Sequence, residues 1–190
     1  MTAEWMKLDN AAKIYPAITG SELTGVFRIS VWLTSPVNLP ALKKASEDAS
    51  SVFPLFGVEL CKGFFWYYLE YNGMAPRVMA DTGPRCQPFP RTMNGELVYR
   101  VLARDNIISV EFFHILTDGG GALFFLKTLL NLYFKEACGI SEVPFPEVSG
   151  GPLPGSSDDM FSKIYGKGMP SPRVLPRAWH LPFPLRKTPR

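Results

Sequence analysis

Two runs of β-forming residues, Leu97 to Arg104 and Ile107 to Phe113, are separated only by Asp105 and Asn106. Both intervening residues tolerate a positive φ, so the spacing predicts a tight antiparallel hairpin. A hairpin this short fixes the register of its strands and therefore which side chains face a core. Just beyond it, Asp118-Gly119-Gly120-Gly121 opens a segment in which Ala122, Leu126, Leu129, Leu130, Tyr133 and Ala137 recur at helical steps. Gly139 supplies the stop for that helix. The order strand, turn and glycine-led helix leaves a histidine, His114, at the junction.

Similar signals run upstream. Val26 to Thr34 reads as a strand ending at Ser35-Pro36. Asn38 can cap a helix that tolerates Pro40 in its first turn, buries Leu39, Leu42, Ala45 and Ala49 on one face, and ends before Pro54. Val58 to Cys61 and the aromatic run Phe64 to Tyr71 read as strands, with turn chemistry at Asn72-Gly73. Hairpin-paired strands covered by two helices of one-sided apolarity predict an α+β two-layer sandwich with a largely antiparallel sheet.

Composition bounds the rest. With 46% apolar and 19% charged residues over 190 positions, the chain can bury a real core, which excludes a disordered polypeptide. Ten of the 18 prolines follow residue 140. The +3 charge excess also lies there, since residues 1–140 carry 13 basic and 13 acidic side chains against seven and four in 141–190. The sequence therefore divides into a domain over 1–140 and a Pro/Gly-rich basic tail or crossover over 141–190. The longest apolar run, Ala122 to Phe134, is broken by Lys127, Thr128 and Asn131 and does not predict a membrane span. Glu4, Lys7 and Asp9 stand where a signal peptide needs an apolar stretch, so the chain reads as cytoplasmic.

Three cysteines, Cys61, Cys86 and Cys138, with no C-x-x-C pair and only two histidines in the chain, predict neither disulfides nor a metal site. They read as small, buried, inert side chains. The charge-neutral core argues against nucleic acid, because strand aromatics such as Phe64 to Tyr68 ordinarily pack rather than stack on bases. His180, in the tail, has no cysteine, histidine or acid beside it and is given no role.

Dinucleotide, P-loop, nucleophile-elbow and zinc-protease signatures are all missing. What remains is Phe112-Phe113-His114-Ile115-Leu116-Thr117-Asp118-Gly119-Gly120-Gly121. Here His114-x-x-x-Asp118-Gly119 resembles the H-x-x-x-D-G motif of the coenzyme A-dependent acyltransferase superfamily, which includes chloramphenicol acetyltransferase, alcohol acetyltransferases and peptide-synthetase condensation domains. Two histidines would meet this spacing by chance in roughly one chain in a hundred. The stretches Trp5 to Pro16 and Phe64 to Glu70 also resemble bacterial alcohol acetyltransferase-like proteins of that superfamily, and the likeness covers residues 4–138. Phe113 stands where the motif often has a second histidine.

The resemblance implies that His114 is the general base that takes a proton from an alcohol or amine attacking an acyl thioester, with a coenzyme A thioester as co-substrate and no bound cofactor. Imidazole suits that task at neutral pH. Without the motif, His114 would read as a core histidine on the face of Ile108, Val110 and Phe112. In the superfamily the motif aspartate is structural and pairs with an arginine. That makes Asp118 a structural residue; the sequence does not single out its partner, for which Arg28 is the first guess beside Arg100 and Arg104, and each of the three also reads as a solvated strand residue. Gly119, Gly120 and Gly121 either let backbone amides approach a thioester oxygen or merely make a tight turn.

Superfamily members have two similar halves whose interface forms the substrate tunnel, and this sequence resembles only the first. It is therefore expected to be either the N-terminal half of an acyltransferase or a non-catalytic, self-associating interaction domain. In both cases its partner is a missing C-terminal half or another copy.

Overall fold

The computed structural model describes residues 5–20, 22–90, 95–140 and 143–144. In chain order the elements are β1 (Trp5–Lys7), α1 (Ile14–Ile18), β2 (Val26–Trp32), α2 (Leu39–Val52), a 3-10 turn at Pro54–Phe56, β3 (Val58–Lys62), β4 (Tyr67–Tyr71), β5 (Val78–Ala80), β6 (Tyr99–Arg104), β7 (Ile107–Phe113) and α3 (Gly119–Cys138). They form an α+β structure with two sheets, ordered β1-β4-β3 and β2-β7-β6-β5. Every pairing is antiparallel except β5 with β6. The predicted tail falls outside the described residues except at positions 143 and 144.

The β6–β7 hairpin forms with Arg104 opposite Ile107, and Asp105 takes φ +52° in its two-residue turn. That turn is tied to the chain leaving β2: Leu33 N–H donates to the Asn106 carbonyl at 2.8 Å, and Asn106 Nδ2 donates back to the Leu33 carbonyl at 2.7 Å. Asn38 caps α2 by accepting from Ala41 N–H at 3.2 Å. Its own N–H donates to the Tyr133 hydroxyl at 3.0 Å and so fastens the start of α2 to α3. Gly139 ends α3 in the left-handed region, φ +70°, and sends its N–H to the Lys135 carbonyl.

Three expectations need correction. Leu39 is exposed, and Ala41 takes its place on the buried face with Leu42, Ala45 and Ala49. The aromatic run enters a strand only at Tyr67: Phe64, Phe65 and Trp66 form the β3–β4 turn and are 85%, 84% and 60% exposed, because Gly63 N–H donates to the Trp66 carbonyl and closes the turn around them. The cysteines are not buried, since Cys61 and Cys86 are half-buried and Cys138 is exposed.

Alternation along β7 explains the layering. Ile108, Val110 and Phe112 face α2 and α3, where Phe125 meets Phe53, Phe56, Tyr99 and Phe112 at ring separations of 5.2 to 5.7 Å. A second apolar cluster joins Leu60, Leu69, Val98, Phe113 and Ile115 with Leu8 and Ala12. The opposite face of the larger sheet is charged yet covered. Arg28, Glu111 and Arg100 lie in one row across β2, β7 and β6. Glu111, 1% exposed, accepts from Arg28 at 3.1 Å, Arg100 at 2.7 Å and Cys86 N–H at 2.8 Å. Arg28 also pairs with Asp81 and donates to Ser109 Oγ at 2.7 Å.

Removing one member of a buried ion pair strands the other, at a cost of about 3–5 kcal/mol. Glu111→Ala should therefore lose about that much stability in urea denaturation followed by circular dichroism. The hydrogen bonds from Arg28 hold the Asp81 carboxyl below its usual range. A lowered folded value means that the Asp81 contribution is complete above about pH 4 and is lost as the pH falls through that lowered value. Asp81→Asn should accordingly flatten the acid limb of the stability profile below about pH 4 without changing the slope near neutrality.

Candidate functional site

His114 is the first residue beyond β7. Its N–H donates to the Gly25 carbonyl at 2.9 Å and extends the β2–β7 ladder by one step. Gly25 has φ +63°, and a Cβ there would lie 2.9 Å from Phe113 Cε2 and 3.3 Å from Tyr15 Cδ1, so both the backbone and the packing demand glycine. The half-buried imidazole lies parallel to the Tyr15 ring, with centroids 4.9 Å apart and planes 5° apart. Phe27 approaches at 4.7 Å with a 49° tilt. Tyr15 packs against the second apolar cluster and Phe27 against the first, so His114 sits where the two meet. Among the described residues no group hydrogen-bonds to either ring nitrogen.

Asp118 is exposed and caps α3, with Oδ1 accepting from Gly121 N–H at 2.9 Å. The arginine assignment fails. Arg28 is committed to Asp81 and Glu111 and Arg100 to Glu111, so among the described residues Asp118 has no ion pair. The physical reason is alternation: Arg28 projects to the covered charged face of the sheet, where two carboxylates meet it. The Arg28 guanidinium is correspondingly raised above its ordinary value, with the Asp81 hydrogen bond as the main cause.

The three glycines separate. The Gly121 amide is taken by Asp118, and a Cβ at that position would collide with Thr117 Oγ1, so Gly121 serves the turn. Gly119 is exposed, a Cβ there would meet nothing, and the amides of Gly119 and Gly120 at the first turn of α3 are unused by described groups. Tyr15, Phe27 and Gly25 are site residues that reasoning from the sequence missed, and so is the Glu111 network behind them. Tyr15 does lie in the stretch Trp5 to Pro16 that carries part of the family likeness. Burial pushes the Cys61 thiol up to about 11 and raises Cys86 as well, which disfavours the nucleophilic thiolate at both. No three His, Cys, Asp or Glu side chains cluster to hold a metal among the described residues, and no helix there is long and apolar enough to cross a membrane.

No family model matches the chain, and no curated protein does. Solved structures do. Polyketide synthase associated protein 5 from Mycobacterium tuberculosis is similar with a TM-score of 0.52 at 14% identity, over 74% of this chain and 36% of that one. The X-domain from teicoplanin biosynthesis, solved in complex with OxyB, gives 0.58 at 14%, over 77% and 36%. The starter condensation domain of rhizomide synthetase gives 0.54 at 13%, over 75% and 41%. The fold is that of part of a condensation domain. The chain spans between a third and a half of the length of these structures.

Capping contributes about 1 kcal/mol, so Asp118→Ala should lower stability by about that amount in urea denaturation, while Asp118→Ser should recover most of it. Gly25→Ala should cost at least as much, through left-handed strain together with the clash against Phe113.

Proposed function

We propose that this chain is the N-terminal part of an acyltransferase that moves an acyl group from coenzyme A or a carrier thioester to an alcohol or amine. The observation that supports this reading is the half-buried imidazole of His114, unengaged by described groups, at a strand end directly ahead of a glycine-led helix in a condensation-domain fold. His114 accepts the proton of the acceptor O–H or N–H as that atom attacks the thioester carbonyl. The C–S bond breaks, the His114 imidazolium returns the proton to the departing sulfur, the thiol leaves, and an ester or amide forms. The amides of Gly119 and Gly120, unused by described groups, face the developing oxyanion at a helix N-terminus, where partial positive charge favours it. Asp118 and Gly121 hold that turn and take no part in proton transfer. Within the superfamily, the stretches Trp5 to Pro16 and Phe64 to Glu70 favour an alcohol as acceptor, by their likeness to alcohol acetyltransferase-like proteins.

Thiol release from acetyl-coenzyme A with a panel of short alcohols and amines tests the reading, both on this chain and on it mixed with a separately expressed C-terminal half of a condensation-type enzyme. General-base help is worth about 10²–10⁴-fold, so His114→Ala should reduce turnover by at least about 10²-fold while the circular dichroism spectrum stays native. Near-normal turnover in a folded His114→Ala variant removes the assignment.

One observation favours a non-catalytic second reading: Phe64, Phe65 and Trp66 project together from one turn. Contiguous exposed apolar surface commonly marks a contact site. If this chain is a self-associating interaction domain, sedimentation will show dimers or larger species that Phe64→Ser/Phe65→Ser dissolves. A compact monomer at high concentration sinks that alternative.

A further inference from the structure

Resting on the reading of His114 as the base, we propose that Tyr15 and Phe27 are its positioning residues, replacing the hydrogen-bonded partner that ordinarily orients a catalytic imidazole. A histidine ring is usually set by what its second nitrogen bonds to. Here no described group reaches either nitrogen, and the Cβ–ring torsion of histidine is intrinsically broad. The ring would swing unless something else held it. A parallel phenol ring at 4.9 Å with a second aromatic ring at 4.7 Å does hold it, because aromatic pairs at these separations are attractive and sterically definite.

The support behind the two rings is rigid. The Tyr15 carbonyl accepts both Thr19 N–H at 2.9 Å and Thr19 Oγ1 at 2.6 Å, which closes α1, and the adjacent Pro16 is buried. Gly25, without a side chain, lets Tyr15 and Phe113 close in beside the backbone that carries His114. Phe27 sits on β2 opposite Phe112, with ring centroids 5.6 Å apart. Unclaimed by any described group, both ring nitrogens then stay open to an acceptor while the plane of the ring is fixed. Placement errors near 1 Å can cost about 10²-fold in rate, so the clamp bears directly on turnover.

The test uses the full chain carrying His180→Gln, which leaves His114 as the sole imidazole. Proton NMR reads the stack: the ring C–H signals of His114 should lie upfield in the parent and in Tyr15→Phe, and move downfield in Tyr15→Leu. In the thiol-release assay Tyr15→Leu and Phe27→Leu should each lower kcat about 10-fold or more with KM little changed, and Tyr15→Phe should restore it. Should Tyr15→Leu fail to fold, Phe27→Leu carries the comparison. Unshifted His114 signals in a folded Tyr15→Leu, or a normal kcat once the stack is lost, overturns the proposal. Should the parent release no thiol, the acyl-transfer reading falls, and carbethoxylation of His114 by diethyl pyrocarbonate then decides the positioning claim. A rate altered in Tyr15→Leu and equal to the parent in Tyr15→Phe supports it, whereas equal rates in all three overturn it.

Discussion

A carboxylate taken out of water costs several kcal/mol unless donors replace its hydration, and Glu111 lies buried within β7, an interior strand of the larger sheet. Its neighbours meet that demand from three directions: Arg28 from β2, Arg100 from β6, and the Cys86 amide from the segment that crosses over them. Asp81 pairs with Arg28 as well, so the buried network holds two positive and two negative groups. A one-residue slip of β2 or β6 against β7 would turn these side chains into the apolar layer and leave them unpaired there. The charged face therefore fixes register more sharply than the oily face, where one aliphatic residue can stand in for another. His114 lies three residues beyond Glu111 on the same chain, so the register that Glu111 enforces also places the histidine.

Local chemistry was what the sequence made legible. Asp105-Asn106, Asn38 with Pro40, Asp118 and Gly139 each act within a few residues of themselves, and the hairpin, both caps and the C-terminal stop sit where those residues put them. The parts that escaped depend on partners far along the chain. Arg28 meets Asp81 across 53 positions and Glu111 across 83, and nothing in its immediate neighbours distinguishes it from a solvated strand residue. Tyr15 reaches His114 in the same non-local way. The aromatic run misled for a different reason: strand propensity describes how a side chain packs on a pleated surface, and Phe64 to Trp66 have no surface above them. The short parallel strand β5 is held by its neighbour β6 rather than by its own three residues.

Structures that share this fold agree with the chain at 13 to 14% of positions. At that level what is shared is the arrangement of layers, and layers are preserved by hydrophobic pattern and volume more than by particular residues. Within that arrangement His114 sits where the two apolar clusters meet.

The bare turn between β3 and β4 has a spectroscopic consequence. Trp66 is in water there, Trp5 and Trp32 are exposed elsewhere, and these are all the tryptophans among the described residues. Three indoles already hydrated in the native state emit much as they would in a denatured chain. The emission of these three tryptophans will therefore be nearly blind to loss of the core around Phe112 and Phe125, while tyrosine absorbance, through buried Tyr99 and Tyr133, will see it.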